Sequence, residues 1–204
     1  MKNNWSFKVL FIVIADLFIS CDFIYDIGGT HNTGNGNIVS QERTVEGFNG
    51  IALKGIGNIN IYFSEKYRIM VTTDSNIQDI VTTEVNNTIL YIDEKNMRNF
   101  RPTKLVIDVY MPAIQSIALR GVGDIHIDNG KGSDLAIELS GVGNINAQNY
   151  QVSNGIVKLT GVGNVKIWAA STLNGSLSGK GNILYKGNPT RNIRTSGLGK
   201  VKLM

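Results

Sequence analysis

The sequence predicts an all-β protein, a parallel β-helix or β-solenoid with coils of about 18–20 residues and a more irregular N-terminal β part. Two observations predict it: a Gly-x-Gly-x-(Ile/Val) motif recurs, and apolar residues alternate with polar ones around it. The six copies lie at 55–59, 121–125, 141–145, 161–165, 179–183 and 197–201. The last five begin at steps of 20, 20, 18 and 18 residues. A fixed period of this kind indicates one structural unit stacked on itself.

The alternation around the motif is typical of β-strands. In the copy that contains Gly141, the apolar residues Ile137 and Leu139 flank Glu138, and Ile145 precedes Asn146. A period of two places apolar side chains on one side of a strand. Because neighbouring copies repeat the pattern, we expect them to stack in register about 4.8 Å apart.

Each copy carries two glycines, which are unfavourable inside a strand unless the backbone requires them. Either the chain bends there with a positive φ, or another segment comes too close for a Cβ atom; we favour a bend that joins two short strands. Asparagine follows the second glycine in most copies, tolerates such bends and predicts a stacked side-chain ladder. The repeat glycines are Gly55, Gly57, Gly121, Gly123, Gly141, Gly143, Gly161, Gly163, Gly179, Gly181, Gly197 and Gly199.

Strands and turns are also predicted outside the motif. The Asn-Gly pairs at 129–130, 154–155 and 174–175 are predicted to be turns that close the coils. Asn86 and Asn87 predict a tight hairpin. The predicted N-terminal strands are Gly50–Lys54, Ile59–Phe63, Arg68–Thr73, Ile80–Val85, Thr88–Asp93 and Lys104–Met111.

The N-terminal segment predicts export and lipid anchoring. Residues 1–20 are typical of a signal peptide, because the apolar run Val9–Ile19 follows lysines and is too short to span a bilayer. Cys21, the single cysteine, follows this run and resembles the lipidated cysteine of a bacterial lipobox. We therefore predict an anchor at Cys21, a flexible tether over residues 21–41 and a folded domain over 42–204.

The net charge and the distribution of basic residues argue against one class of partner, nucleic acids. The formal net charge is +4, and loss of residues 1–20 would remove two lysines and one aspartate and leave +3. The basic residues are dispersed, so nucleic-acid binding is not predicted.

The chain resembles the head GIN domain family, a group of bacterial auto-transporter adhesins by name. The resemblance rests on Val45–Ile51, Gly55–Ile61, Leu90–Ile92 and Leu105–Pro112, followed by the repeated Gly-Val-Gly-Asn-Ile, and it covers roughly residues 43–203. It implies a β-helical fold and a location at the cell surface. The family has no catalytic motif to transfer.

The sequence predicts no catalytic residue, metal site or cofactor. His126 is the one histidine of the predicted domain, so a histidine-based metal site is not expected. The glycine motif lacks the third glycine and the helix that dinucleotide binding requires. The acidic residues most able to cluster are Asp124, Asp128, Asp134 and Glu138, and no repeated pattern marks them.

Three aromatic residues are candidate ligand contacts. Trp168 follows Ile167, so the alternation predicts that it points outward, and Tyr150 and Tyr185 are predicted in or near neighbouring turns. An outward row of these three rings would suit contact with a glycan. Local packing under a loop is the alternative for each ring.

Three functions from different classes remain open. The first is a lipid-anchored surface protein of the bacterial envelope, in the outer membrane, whose solenoid binds a glycan or a surface protein without catalysis. The second is a structural envelope protein with no diffusible ligand. The third is a carbohydrate-active enzyme on a β-helix. The membrane is a partner through the N-terminal lipid in the first reading.

Overall fold

The computed structural model describes residues 33–95 and 100–204, and within these ranges the chain is all-β without a helix. Hydrogen bonds join its strands into one mixed sheet that is nearly closed and barrel-like around a single apolar core. The predicted signal peptide and Cys21 lie outside the described residues. The strands are β1 (Ile38–Arg43), β2 (Gly50–Leu53), β3 (Asn58–Phe63), β4 (Arg68–Asp74), β5 (Val81–Asn86), β6 (Ile89–Glu94), β7 (Leu105–Met111), β8 (Ser116–Leu119), β9 (Ile125–Ile127), β10 (Gly130–Leu139), β11 (Ile145–Leu159), β12 (Val165–Leu177), β13 (Ile183–Lys186), β14 (Thr190–Thr195) and β15 (Val201–Leu203). Within the described part, no helix is long and apolar enough to cross a membrane.

The sheet follows two paths, which we call the first and second ladders. The first ladder runs β5-β6-β2-β8-β10 and continues through the later residues of β11 and β12 to β14. The second ladder runs β1-β4-β7-β3-β9 and continues through the early residues of β11 and β12 to β13 and β15. Pairing is parallel except between β5 and β6, β1 and β4, and β4 and β7. The antiparallel pairs therefore all belong to the N-terminal part.

The period of the sequence becomes the step between paired residues. In the first ladder, Ile117 pairs with Ile137 and Ile137 pairs with Val157, so that each step is 20 residues. Val157 pairs with Gly175, a step of 18 residues. The predicted register of the repeat is confirmed in these strands.

The core is built from rows of identical positions in successive copies. One row consists of leucines that all have 0% exposure: Leu53, Leu119, Leu139, Leu159 and Leu177. The alternation predicted this burial for the first four, because each lies two residues after a buried isoleucine or valine, whereas Leu177 follows Gly175 at that position. A row of this kind places the same side chain at the same depth in each copy, so the parallel register preserves the packing.

In the four central copies, the second glycine has a positive φ and also lies too close to the preceding copy for a Cβ atom. Gly143 and Gly163 have φ values of 138° and 140°, which favour glycine. A Cβ atom on Gly163 would also overlap the carbonyl oxygen of Gly143, and one on Gly143 would overlap that of Gly123. The first glycines have no positive φ, yet from Gly121 onward a Cβ there would overlap a backbone carbonyl too, and on Gly55 it would overlap the carboxylate of Glu94. The preference for a bend alone was therefore incomplete, because close approach of the backbone operates at both glycines.

The predicted asparagine ladder is confirmed. The Oδ1 atom of Asn144 accepts hydrogen bonds from both the backbone N and the Nδ2 of Asn164, each at 3.1 Å. Asn164 receives the same pair of bonds from Asn182 at 3.0 and 3.1 Å. At the other end, Asp124 accepts from Asn144 at 2.8 and 2.9 Å. The side chains thus link four successive copies beside the glycine corners.

Of the predictions for turns and for the tether, the hairpin is confirmed and the others need correction. The hairpin at Asn86-Asn87 is confirmed, with Asn87 and Thr88 at φ values of 48° and 63° between β5 and β6. The pairs 154–155 and 174–175 are not turns but lie inside β11 and β12, because each long strand serves both ladders. The predicted tether is ordered near its end, since β1 begins at Ile38 and pairs with β4.

A buried carboxylate ends the column of glycine corners. In later copies, the amide of the residue between the glycines donates to the preceding copy, as Val122 does to the carbonyl of Gly55 at 2.9 Å. Ile56 lies in the first copy, and its amide donates instead to Oε1 of Glu94. Glu94 is only 8% exposed, and its Oε2 has no hydrogen-bond partner among the described residues. Burial raises the pKa of Glu94, against the lowering effect of the Ile56 amide.

Replacing Gly143 by alanine should destabilise the fold by more than about 3 kcal/mol, because the new Cβ would enter the backbone of the preceding copy. Gly47 is a matched control: its φ is 76°, but a Cβ there meets nothing within 4 Å. Gly47→Ala should cost only about 1–2 kcal/mol for the backbone conformation. Chemical denaturation measures the free energy of unfolding of both variants. Equal losses of stability in the two would refute the role of close backbone approach.

Replacing Glu94 by glutamine should flatten part of the pH dependence of stability. The folded-state pKa is raised, so the folded protein holds the proton more tightly, and the free energy of unfolding falls as pH rises from the ordinary glutamate pKa to the raised value. Glu94→Gln keeps an acceptor for Ile56 and should lose this slope, whereas Glu94→Ala should cost about 1–3 kcal/mol by leaving that amide unpaired. Denaturation at a series of pH values tests both, and an unchanged slope in Glu94→Gln would contradict the assignment.

Candidate ligand-binding face

The outward side of the second ladder carries rows of polar and aromatic side chains. In β3, the buried residues Ile59 and Ile61 alternate with Asn60 and Tyr62, which are half-buried and point away from the core. The same alternation in the neighbouring strands extends the surface. We call it the aromatic face, and it consists of Asn60, Tyr62, Asp108, Tyr110, His126, Asp128, Asn146, Lys166 and Trp168.

Two tyrosines form one end of the aromatic face. Tyr62 pairs with Tyr110 across β3 and β7, and the rings stack with centroids 5.0 Å apart and planes inclined by 24°. The guanidinium of Arg68 lies 4.0 Å from the centroid of the Tyr110 ring. Stacking and the cation hold the two rings in fixed positions on the surface.

Trp168 lies farther along the same face. It points outward between the buried residues Ile167 and Ala169, as the alternation predicted. The Nζ atom of Lys186, the residue paired with it in β13, lies 5.5 Å from its ring centroid. Three strand spacings separate β3 from β12, which places Trp168 about 14 Å from Tyr62 along the ladder.

A polar row runs between the aromatic ends. The Nδ2 atom of Asn60 donates to Oδ1 of Asp108 at 2.8 Å. Asn60 also pairs with His126, which pairs with Asn146, and Asn146 pairs with Lys166. Amide, imidazole, carboxylate and ammonium groups therefore follow one another at the strand spacing. Such groups can donate and accept hydrogen bonds with a polar ligand.

A shallow cavity of about 410 Å³ lies beside this polar row. The row supplies one side of it, with His126, Asn146 and Lys166, and the asparagine ladder supplies the other, with Asn144 and Asn164. The ladder residues already bond to each other, so the free hydrogen-bonding capacity lies mainly on the aromatic face. A ligand in this cavity would be bounded on both sides by amides.

The hydroxyl of Tyr62 remains a proton donor. Desolvation raises its pKa, and the charges of the Asp108 and Asp128 carboxylates and of the Tyr110 hydroxyl, when ionised, raise it further. At neutral pH the O–H is therefore intact, and the two carboxylates beside it are acceptors for ligand hydroxyls.

Two of the three predicted aromatic contacts are not on the surface. Tyr150 is 1% exposed and stacks on Phe63 with centroids 4.9 Å apart, above the space that Gly130 and Gly132 leave. Tyr185 is 7% exposed, because it lies two residues after buried Ile183 and therefore on the same, inward side of β13. An outward row of Trp168, Tyr150 and Tyr185 therefore does not form, and the alternative of local packing holds for the two tyrosines.

Tyr62 and Tyr110 were not among the residues predicted from the sequence. Their signal was present in the alternation, since each follows a buried residue of its strand, Ile61 and Val109. What the sequence could not give is the pairing of β3 with β7, which lies outside the regular repeat.

The acidic residues considered for catalysis do not meet in one place. Asp124 and Asp128 adjoin β9 of the second ladder, whereas Asp134 and Glu138 lie in β10 of the first. Asp124 accepts hydrogen bonds within the asparagine ladder, and Asp134 accepts one from Nδ2 of Asn154 at 2.9 Å. In residues 33–95 and 100–204, no group of three or more His, Cys, Asp and Glu side chains could hold a metal ion.

The chain belongs to the family described as "Putative auto-transporter adhesin, head GIN domain", whose model matches residues 47–130 and 121–189. A crystal structure of a "putative adhesin" from Bacteroides fragilis is 24% identical, with a TM-score of 0.56, and the match covers 84% of this chain and 99% of that one. This similarity supports the fold alone.

Two more solved structures are similar over comparable lengths. A "putative adhesin" from Parabacteroides distasonis is 20% identical, with a TM-score of 0.41 and coverage of 85% and 100% of the two chains. A "putative cell adhesion protein" from Clostridium sporogenes is 15% identical, with a TM-score of 0.47 and coverage of 82% and 99%. No curated protein matches the chain significantly.

Proposed function

We propose that this protein is a non-catalytic, saccharide-binding module displayed at a bacterial surface, with the aromatic face as its binding site. The observation that carries the proposal is the arrangement of Tyr62, Tyr110 and Trp168, which point outward on one ladder and frame a row of amide and carboxylate side chains. The family description as an adhesin agrees with a surface or exported protein that binds rather than catalyses.

The chemistry of a saccharide fits this face. The apolar C–H faces of sugar rings pack against aromatic rings, and Tyr62 and Trp168 supply rings at two points about 14 Å apart. Sugar hydroxyls need partners that both donate and accept, and Asn60, Asp108 and Asn146 provide them between the rings. A chain of several sugar units could therefore lie along the ladder and contact both aromatic ends.

We further propose that the domain is a β-solenoid. The support is the parallel register, in which residues 18–20 positions apart pair in one copy after another. The corner residues Val122, Val142 and Val162 also form parallel bridges at the same step. In a solenoid, an outward row along the stack is a natural extended binding surface.

Display at the surface would depend on the segment before the domain. Residues 1–20 and Cys21 support an exported protein whose cysteine carries a lipid, held at the bacterial envelope and in the outer membrane. The partners are then the membrane, through that lipid, and a glycan or surface protein, through the domain.

The second candidate function, a structural envelope protein, has one observation in its favour. The corner residues form an apolar ridge that is exposed along the stack, with Ile56 at 37%, Val122 at 48%, Val142 at 50% and Val162 at 47%. Exposed apolar rows of this kind occur at protein–protein contacts. A structural protein of this kind would act by associating side by side with other proteins of the envelope through this ridge.

Binding should be lost when a ring of the aromatic face is removed. The full chain would be screened against glycans and peptidoglycan fragments, and the Kd of each hit measured by calorimetry. Tyr62→Ala and Trp168→Ala should each weaken binding about tenfold, because a stacking contact is lost. Tyr62→Phe and Trp168→Phe are matched controls that keep a ring, and they should retain most of the affinity. Equal loss in the Phe and Ala variants, or no saccharide hit, would count against the proposal.

The anchor is tested separately by Cys21→Ser in cells. The wild-type protein should incorporate a metabolically supplied, labelled fatty acid and fractionate with membranes. The variant should lose the label, because no other cysteine is present in the chain. Labelling that persists in the variant would exclude Cys21 as the lipid site.

A further inference from the structure

The outward side of the first ladder carries a groove that saccharide binding does not use. Its volume is about 360 Å³, and it crosses β6, β2, β8, β10 and β11. Its floor is formed by the small side chains of Ala52, Ala118 and Ala136. The neighbouring strands carry larger residues at the paired positions, Tyr91 beside Ala52 and Ile156 beside Ala136, and these bound the groove. Four strand spacings separate β6 from β11, so the groove is about 19 Å long.

The floor of this groove is aliphatic and offers few hydrogen bonds. Ser116 supplies the one hydroxyl among the small residues of the floor. At one end, Ile156 is 55% exposed although it lies in a strand, and at the other Ile89 and Tyr91 are half-buried. A sugar lying on the alanines would lose water from its hydroxyls without gaining partners, which is unfavourable. An alkyl chain would bury apolar surface at no such cost.

Among the residues that line the groove, positive charges outnumber negative charges by one. Arg120 and Lys158 both pair with Glu138, at 3.1 Å and 3.4 Å. One carboxylate thus serves two cations, which leaves one positive charge in excess. Next to the groove, the ammonium of Lys54 lies 4.4 Å from the ring centroid of Tyr91, and its charge is balanced by Glu84, the residue paired with Tyr91 in β5. The wall of the groove therefore favours an anion over a cation or a neutral head group.

We propose that this groove binds a single-chain anionic amphiphile. The alkyl chain lies across the alanine floor between Tyr91 and Ile156, and the anionic head pairs with Arg120 and Lys158 in competition with Glu138. A fatty-acid carboxylate and the phosphate of a lipid share this chemistry. The site lies on a different side of the core from the aromatic face, so it is independent of saccharide binding.

The test uses the full chain in nanodiscs of zwitterionic lipid, with a photoreactive fatty acid as the probe and mass spectrometry to map the labelled residues. Labelling should concentrate on the strands of the groove, and unlabelled dodecanoate or dodecyl phosphate should reduce it by competition. Dodecanoate tests the carboxylate of a fatty acid as the head group, and dodecyl phosphate tests the phosphate of a lipid. Dodecyltrimethylammonium, which has the same chain and a cationic head, should compete at least about tenfold less well. Equal competition by the cationic amphiphile would overturn the proposal.

Variants of the charged wall should change labelling in opposite directions. Arg120→Gln and Lys158→Gln should each reduce the apparent affinity about tenfold, because a charged partner of the head group is lost. Glu138→Gln should increase it, because both cations are released, and a merely structural role would not produce this gain. Lys180→Gln is the matched control, since Lys180 is exposed on the corner column outside the groove. Thermal unfolding of each variant shows whether its fold is intact.

Three results would overturn the proposal. The first is labelling confined to residues 1–32 or spread along the apolar ridge. The second is reduced labelling in Glu138→Gln at unchanged thermal stability. The third is protection of the groove that grows with protein concentration in the absence of amphiphile, which would assign it to a second copy of the chain.

Discussion

Close approach of the backbone at the Gly-x-Gly corners is the constraint on which the rest of this structure depends. The amide of Val142 donates to the carbonyl of Gly121, and the amide of Gly143 donates to the carbonyl of Val162, both at 2.9 Å. No Cβ atom fits between successive glycines of this column. The glycines therefore do more than allow a bend, because they set the distance and the register between copies.

Because of this register, residues that recur with the period of the sequence form rows of like side chains along the sheet. Leucines stack inside, asparagines stack beside the corner, and the residues between the buried positions form the outward rows. The aromatic face depends on this arrangement, since Tyr62 and Trp168 are brought to the same side by strands that are far apart in the chain. A site built on paired strands is held more rigidly than one on loops.

The sequence allowed the strands, the hairpin at Asn86-Asn87 and the asparagine ladder to be predicted, because each depends on local pattern or on the period. The candidate site was predicted only in part. Trp168 was placed correctly, but Tyr150 follows Ala147 across an irregularity in β11, where the pairing with β12 shifts and the alternation is interrupted. Tyr62 and Tyr110 are 48 residues apart, and their pairing follows from topology rather than from the repeat. Local patterns cannot specify such a pairing.

Native-state hydrogen exchange at the corner amides tests the central claim most directly. If the glycine column sets the register, the amides of Val122, Val142 and Val162 should exchange only through global unfolding, so that their protection free energies equal the global value. The core amides of Leu139 and Leu159 provide the reference. Exchange of the corner amides through local opening, while the leucine amides stay protected, would contradict the account and make the corners a consequence of the core packing.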